Sequence, residues 1–488
     1  MNSAVELRSS VARTALAGTS SANASTTSTA RERVECMPCV SSLGRRARCV
    51  LTACHSGVQC AAGGLLQLPR AREAPLQEAR NERRTLPLDM RHHAILLLAC
   101  VGLAAVSPTA GVHGLAAARA GAARPSGVPP VPFTEQMVDP TNAGDCKAIA
   151  DVDVDGKPDL VVAGPSLVWY GWSRAGWAKH ILFPKPLHEE FTTDMQAADV
   201  DGDGDPDIVI PDGGGPNNVL WIENPKRRPP AGRRADPTDG ANWQVHVIGS
   251  HGAYVHDLVV GDIDRDDRLD VVTSGHGHTH VWLQRPGGIW LDRDLSSLAG
   301  QGVGLGDINR DGRIDIVTGS AWLECPEDPA KGGWIRHVIP GARGETAIAV
   351  DLNGDRRLDV VVVQFQHQPG KFAWCEAPPD PANGQWVEHV IDTATGSHKL
   401  ESADFNGDGR PDLLTGLELK ELAIWLNQGG SPATFGKQVV ATSGGHNARV
   451  GRIGDRRMPC ILSCDFITHP PVRVFLNDLR RPGQPQRR

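Results

Sequence analysis

The sequence predicts an all-β chain folded as a seven-bladed propeller, and three observations carry that expectation. The 488-residue chain is rich in glycine (54) and proline (36), and its apolar runs are short and dominated by Val and Ile, the texture of many strands joined by turns. From residue 133 onward the same three segments recur seven times, and internal repetition outranks any local signal. Each unit of about 45 residues supplies four short strands, the content of a propeller blade.

The first segment is an aromatic, three variable residues and two aliphatics. It reads "FTEQMV" (133–138), "WAKHIL" (177–182), "WQVHVI" (243–248), "WIRHVI" (334–339), "WVEHVI" (386–391) and "FGKQVV" (435–440), with "WLDRDL" (290–295) as a looser copy. The second is an Asp-rich loop running into a strand: "DVDVDGKPDLVV" (151–162), "DVDGDGDPDIVI" (199–210), "DIDRDDRLDVVT" (262–273), "DINRDGRIDIVT" (307–318), "DLNGDRRLDVVV" (351–362) and "DFNGDGRPDLLT" (404–415), worn down in the seventh copy to "GRIGDRRMPCIL" (451–462). The third is a Trp-bearing strand, ending in the Phe version "RVFLND" (473–478). A first strand at 133–138 that joins the last blade would close the ring and remove exposed sheet edges. Eleven of the twelve Trp fall at two fixed blade positions, which reads as packing between blades; Trp172 stands outside the pattern.

The Asp loops also predict chemistry. Calcium takes six to eight oxygen ligands, and short carboxylates at positions 1, 3, 5 and 9 of a tight turn converge on one ion, helped by the carbonyl at position 7. The expected ligands are Asp151, Asp153, Asp155 and Asp159; Asp199, Asp201, Asp203 and Asp207; Asp262, Asp264, Asp266 and Asp270; Asp307, Asn309, Asp311 and Asp315; Asp351, Asn353, Asp355 and Asp359; and Asp404, Asn406, Asp408 and Asp412. About six calcium ions are therefore expected, bound more weakly where Asn replaces Asp at position 3. Position 12 is a strand residue and not the Glu of an EF-hand, and the seventh loop, with Gly451, Ile453 and Pro459 at ligand positions, is expected to hold no ion.

These loops resemble the FG-GAP/VCBS repeat family, whose calcium-loop propellers include the integrin α-subunit head. The resemblance implies the propeller and its calcium sites. It leaves function open, because the family serves adhesion, scaffolding and catalysis alike.

Propeller topology places the segments before each inner strand on the face opposite the Asp loops. Ten of the eighteen His fall in or beside that face: His188, His251, His256, His276, His278, His280, His367, His398, His446 and His469. Neutral imidazoles beside a carboxylate suit zinc or iron. The candidate acid, base or ligand residues are His256, His398, Asp194 and Glu401, with Asp257 as a further carboxylate; His188, His251 and His446 are the candidates for holding one zinc or iron ion. The alternating "SGHGHTHVW" (274–282) is expected to flank that site and not to centre it. His180, His246, His337 and His389 repeat at one strand position and are read as packed scaffold.

Residues 1–89 have no sustained period and read as disordered or untranslated. Residues 90–114 combine a basic start, an apolar run and small residues, the build of a secretory signal peptide. A linker (115–130), the propeller (131–480) and a basic tail (481–488) follow. A secreted or periplasmic protein is expected, with lipid attachment through Cys100 as the alternative and no integral membrane span. The net charge of −7, concentrated as acid in the loops, argues against nucleic acid as a partner. Scattered cysteines suggest no disulfide framework.

The sequence expectation is thus a monomeric calcium-binding module that takes an extracellular protein or carbohydrate ligand on its His-rich face. The alternative is a metal-dependent lyase or isomerase on a sugar-like carbonyl, since the propeller part of aldos-2-ulose dehydratase is similar. No phosphate loop, serine elbow or HExxH motif stands out.

Overall fold

The computed structural model describes residues 128–479 apart from 143, 185–193, 214–216, 227–234, 297–301, 365–369, 397–398, 418–419 and 464–470. The described chain forms seven antiparallel sheets of four strands each. Six blades are continuous in sequence, over residues 146–183, 196–250, 257–294, 304–338, 346–395 and 401–441. The seventh, over 449–477, supplies three strands and takes its outer one from Phe133–Asp139, which pairs antiparallel with Val472–Asn477. This is the closure the sequence predicts, and it joins the two ends of the repeat through a backbone ladder. Gln438 on blade 6 reinforces it, its side chain exchanging two hydrogen bonds of 2.8 Å with the backbone of Val131.

The core lies between blades. Seven apolar clusters each join one blade to the next, and the last joins blade 7 to blade 1 through Leu160, Val168 and Tyr170 against Ile453, Leu462 and Val474. Trp169, Trp221, Trp282, Trp322, Trp374 and Trp425 are buried in these seams, as their repetition predicts. Trp172, the irregular one, packs against blade 7 as well. Ile453, which replaces a ligand in the seventh loop, is fully buried in the same cluster. That loop has exchanged carboxylates for apolar packing.

Inner strands converge on the axis, so side chains there must be small. At Gly304 an added Cβ would lie 2.8 Å from the Ala347 carbonyl oxygen of the next blade and 2.9 Å from Val317 Cγ2. Gly304→Ala should therefore cost about 1–3 kcal/mol by overpacking, measured as a lower urea midpoint at unchanged slope. Cys146, Cys325, Cys375 and Cys460 are buried free thiols, and Cys464 lies outside the described residues.

Candidate functional sites on two faces

Each Asp loop is folded by its own carboxylates. The position 1 side chain accepts from backbone N–H groups at positions 5 and 6, as Asp151 does from Asp155 at 2.9 Å and Gly156 at 2.8 Å. Position 3 accepts from the N–H of position 5, as Asp201 does from Asp203 at 3.1 Å. Position 9 is a buried clamp. One oxygen of Asp207 accepts from Val200 at 3.1 Å and the other from Asn224 at 2.7 Å, fixing the loop to the third strand of its blade. Asp159, Asp270, Asp315, Asp359 and Asp412 do the same with their own loops and third strands.

In the loops of blades 1 to 3, three carboxylates bring oxygens within 4.8 Å of one another: Asp151, Asp153 and Asp159; Asp199, Asp201 and Asp203; and Asp262, Asp264 and Asp270. Burial raises the pKa values of Asp153, Asp159, Asp201, Asp264 and Asp270. Burial first, then Asp203, pushes Asp201 up to about 6, and burial pushes Asp207 up to about 8. Asp199 Oδ1, Asp203 Oδ2 and Asp264 Oδ1 are buried oxygens without a hydrogen-bond donor. Such groups fit a hard cation, which would satisfy the stranded oxygens and favour the ionised form of every carboxylate around it.

Two features of these loops were missed in the sequence. At position 7, Arg268, Arg313, Arg357 and Arg410 each pair with the position 5 Asp of the same loop, and each donates through Nε to a carbonyl at the end of the third strand. Blade 3 adds Arg285, 2.7 Å from Asp264. Blade 2 has Asp205 at position 7, so its loop carries no such counter-charge. The recurring "GR" and "RR" before the last Asp was the available signal. The second feature is an amide at the end of the third strand. Asn224, Gln284, Asn427 and Asn477 donate at 2.9–3.0 Å to the position 2 carbonyl of the preceding blade's loop, Val152, Val200, Leu352 and Phe405 respectively. Order in one loop is thereby tied to the next blade.

On the opposite face, Asp194 and Glu401 come together through a residue absent from the sequence reading. Arg449 pairs with Asp194 and, at 2.8 Å, with Glu401, and donates to the carbonyls of Met195 at 2.7 Å and Lys147 at 3.0 Å. Lys399 reaches Asp194 at 3.1 Å. Burial opposes the Asp194 charge, but Arg449 and Lys399 outweigh it and hold its pKa below the usual carboxylate range. Asp257, close to the same group, is pushed up to about 8 by burial, against the pull of Lys399. Four blades thus meet in one buried charge network at the inner-strand starts.

The histidines separate into three groups. His446 pairs through Nδ1 with Asp145, and both are buried. His256 packs with Tyr254 and His276, at ring-centre distances of 5.0 and 5.4 Å, and its pKa falls to about 4 through burial and then His276. His251 lies with His280 at 5.0 Å and His278 at 6.0 Å. The alternating stretch is split by a tight hairpin: His276 and Gly277 take φ of 47° and 82° between paired Gly275 and His278. His276 therefore leaves the face that His278 and His280 share. His188 and His398 lie outside the described residues. His246, His337 and His389 are scaffold as read, each within 4.4 Å of a blade Trp and bonded through Nε2 to Glu223, Glu324 or Glu376 at 2.7–2.9 Å.

Comparison with known proteins bears on the fold. The family model described as FG-GAP-like repeat matches residues 151–210 and 351–415, segments that begin on Asp loops of blades 1 and 5. No curated protein matches the chain. Among solved structures, an Agrocybe aegerita lectin that recognises non-reducing terminal N-acetylglucosamine aligns at 16% identity, over 62% of this chain and 81% of its own, with a TM-score of 0.42. BBS1N in complex with ARL6DN aligns at 12% identity over 71% of this chain and 96% of its own, with a TM-score of 0.44. Chaetomium thermophilum Raptor aligns at 8% identity over 72% of this chain and 29% of its own, with a TM-score of 0.45. Among the described residues no helix is long and apolar enough to cross a membrane. With a ring of seven four-stranded blades, the chain is a seven-bladed β-propeller, two segments of which, 151–210 and 351–415, match the FG-GAP-like repeat.

Proposed function

We propose that this propeller is a secreted, calcium-stabilised binding module that engages an extracellular protein or carbohydrate through the histidine-bearing face. The observation that carries the calcium part is the set of buried, donorless oxygens on Asp199, Asp203 and Asp264 inside three-carboxylate clusters. The ions are structural in this reading: they hold loops that the third-strand amides tie to neighbouring blades. Binding is favoured over chemistry because Asp194 and Glu401, which acid–base work would need, are already engaged by Arg449.

The loops should differ in affinity. Blade 2, with five Asp and no position 7 cation, should bind most tightly; blade 3, where Arg285 occupies Asp264, more weakly; and blades 4 to 6, with Asn309, Asn353 and Asn406, weakest. Calorimetric titration of calcium into the stripped protein should show more than one affinity class, and Asp201→Asn should remove the tightest. A single class untouched by Asp201→Asn would overturn the assignment.

A further inference from the structure

We propose that His251, His278 and His280 form a binding site for one divalent transition-metal ion of the zinc, copper or nickel class. The inference goes beyond the binding-module reading and does not depend on the Asp loops. It rests on how blade 3 departs from its neighbours.

In blades 2, 4 and 5 an outer-strand His lies opposite the blade Trp and its Nε2 is used by a Glu. In blade 3 the residue opposite Trp282 is Asp292. The imidazole comes instead from His280 on the Trp strand itself, stacked on Trp282 with ring centres 5.2 Å apart. Asp292 takes the Nδ1 of His280 at 2.8 Å. A carboxylate there accepts the Nδ1 proton and turns the Nε2 lone pair outward, the tautomer a metal requires.

His251 is held in place from its other ring nitrogen, by a hydroxyl that can donate or accept. Its Nδ1 lies 2.9 Å from Thr273 Oγ1, and its backbone N–H donates to the Asn217 carbonyl at 3.0 Å. His251 and His280 are 1% and 7% exposed, and the Nε2 of each is buried and makes no well-aligned hydrogen bond, the Gly275 backbone being at best a poorly aligned partner for His251. A buried imidazole nitrogen left without a well-aligned partner is costly unless something satisfies it.

The spacing suits a shared ion. Two imidazoles bound at about 2.1 Å with a tetrahedral angle have ring centres roughly 5 Å apart, and His251 and His280 are 5.0 Å apart at 61°. His278 is exposed at the strand start, with its ring centre 6.0 Å from His251 and 6.4 Å from His280, so the third ligand must turn toward the other two on binding. Three protein nitrogens leave a fourth tetrahedral position for water or a donor atom of a ligand.

The test uses the full chain in calcium-saturated buffer, which keeps the Asp loops filled, and titrates cobalt(II) as a spectroscopic probe and then zinc as competitor. One equivalent of cobalt should give the visible absorption of a tetrahedral nitrogen site, and zinc should displace it. His280→Ala should abolish that signal, and His278→Ala, an exposed change that leaves folding intact, should weaken binding at least tenfold. Asp292→Asn should weaken it by roughly tenfold to a hundredfold. His256→Ala should leave it unchanged. Cobalt absorption that is absent, or that persists at full strength in both His278→Ala and His280→Ala, would overturn the site. Calcium affinity measured on the same variants should not move, so failure here and failure of the Asp-loop assignment give different results.

Discussion

Removing calcium should lower the melting temperature of this protein by about 8–16 °C. A ligand present at a hundredfold its Kd stabilises the folded state by about 2.7 kcal/mol per site, so the three best loops alone would contribute roughly 8 kcal/mol. For a chain of this size each kcal/mol moves the midpoint by on the order of 1–2 °C. The structure indicates why the effect should be global. Asp207 fixes its loop to Asn224, and Asn224 donates to the Val152 carbonyl of blade 1, so a loosened loop loosens the neighbouring seam. Without the ion the raised carboxylates also turn against folding. A group whose folded pKa is about 8, as for Asp207, holds a proton that the unfolded chain releases above about 4, so its contribution to stability falls as pH rises between those values. The stripped protein should therefore be more stable at pH 5 than at pH 8. An unchanged melt after calcium removal verified by elemental analysis would sink the structural role of the ions.

The parts of the molecule legible in the sequence are those that repeat. Seven copies of one unit specify seven blades, because each blade is built by local antiparallel pairing and its Trp marks the seam whatever the neighbour is. Even the closure by Phe133–Asp139 was readable, since the first copy had a terminal segment and no blade of its own to belong to. Within the loops, carboxylate spacing is legible because it repeats at fixed offsets, whereas spacing alone does not reveal the arginines that oppose it. In "DGRID" Arg313 sits between Asp311 and Asp315 and pairs with the first.

What repetition cannot reveal is a contact made once. Arg449 reaches Asp194 across 255 residues of sequence, and only ring closure brings blades 2, 6 and 7 to one point. The histidine grouping was obscured for a more local reason. Alternation from His276 to His280 suggests one face, yet the turn at His276 and Gly277 hands the first imidazole to Tyr254 and His256 and leaves the other two with His251. A hairpin with both central residues at positive φ is readable as "HG" only once the flanking strands are known.

The buried network around Arg449 should be the most sensitive single point in the ring. Among the described residues, Arg449→Met leaves Asp194, 1% exposed, with Lys399 as its cation and leaves Glu401 with the Val450 N–H at 2.6 Å. Breaking a buried pair on one side typically costs about 3–5 kcal/mol, because the surviving charge is uncompensated. Neutralising that charge should undo part of the damage, so Arg449→Met combined with Asp194→Asn should cost clearly less than the two single changes added together. The pH dependence should change sign at this site as well. Asp194 has a folded pKa below its ordinary 3.8, so its pairing stabilises the protein above that value and is lost as the pH falls through the folded pKa; in Arg449→Met this acid-labile component should shrink. Strictly additive urea midpoints in the double-mutant cycle would mean that Arg449 and Asp194 act separately, and that the carboxylate is free for other work. A coupling of 1 kcal/mol or more would mark the Arg449–Asp194 pair as a clamp between blades 7 and 2 at the axis, leaving the neighbouring imidazoles as the chemically open part of this face.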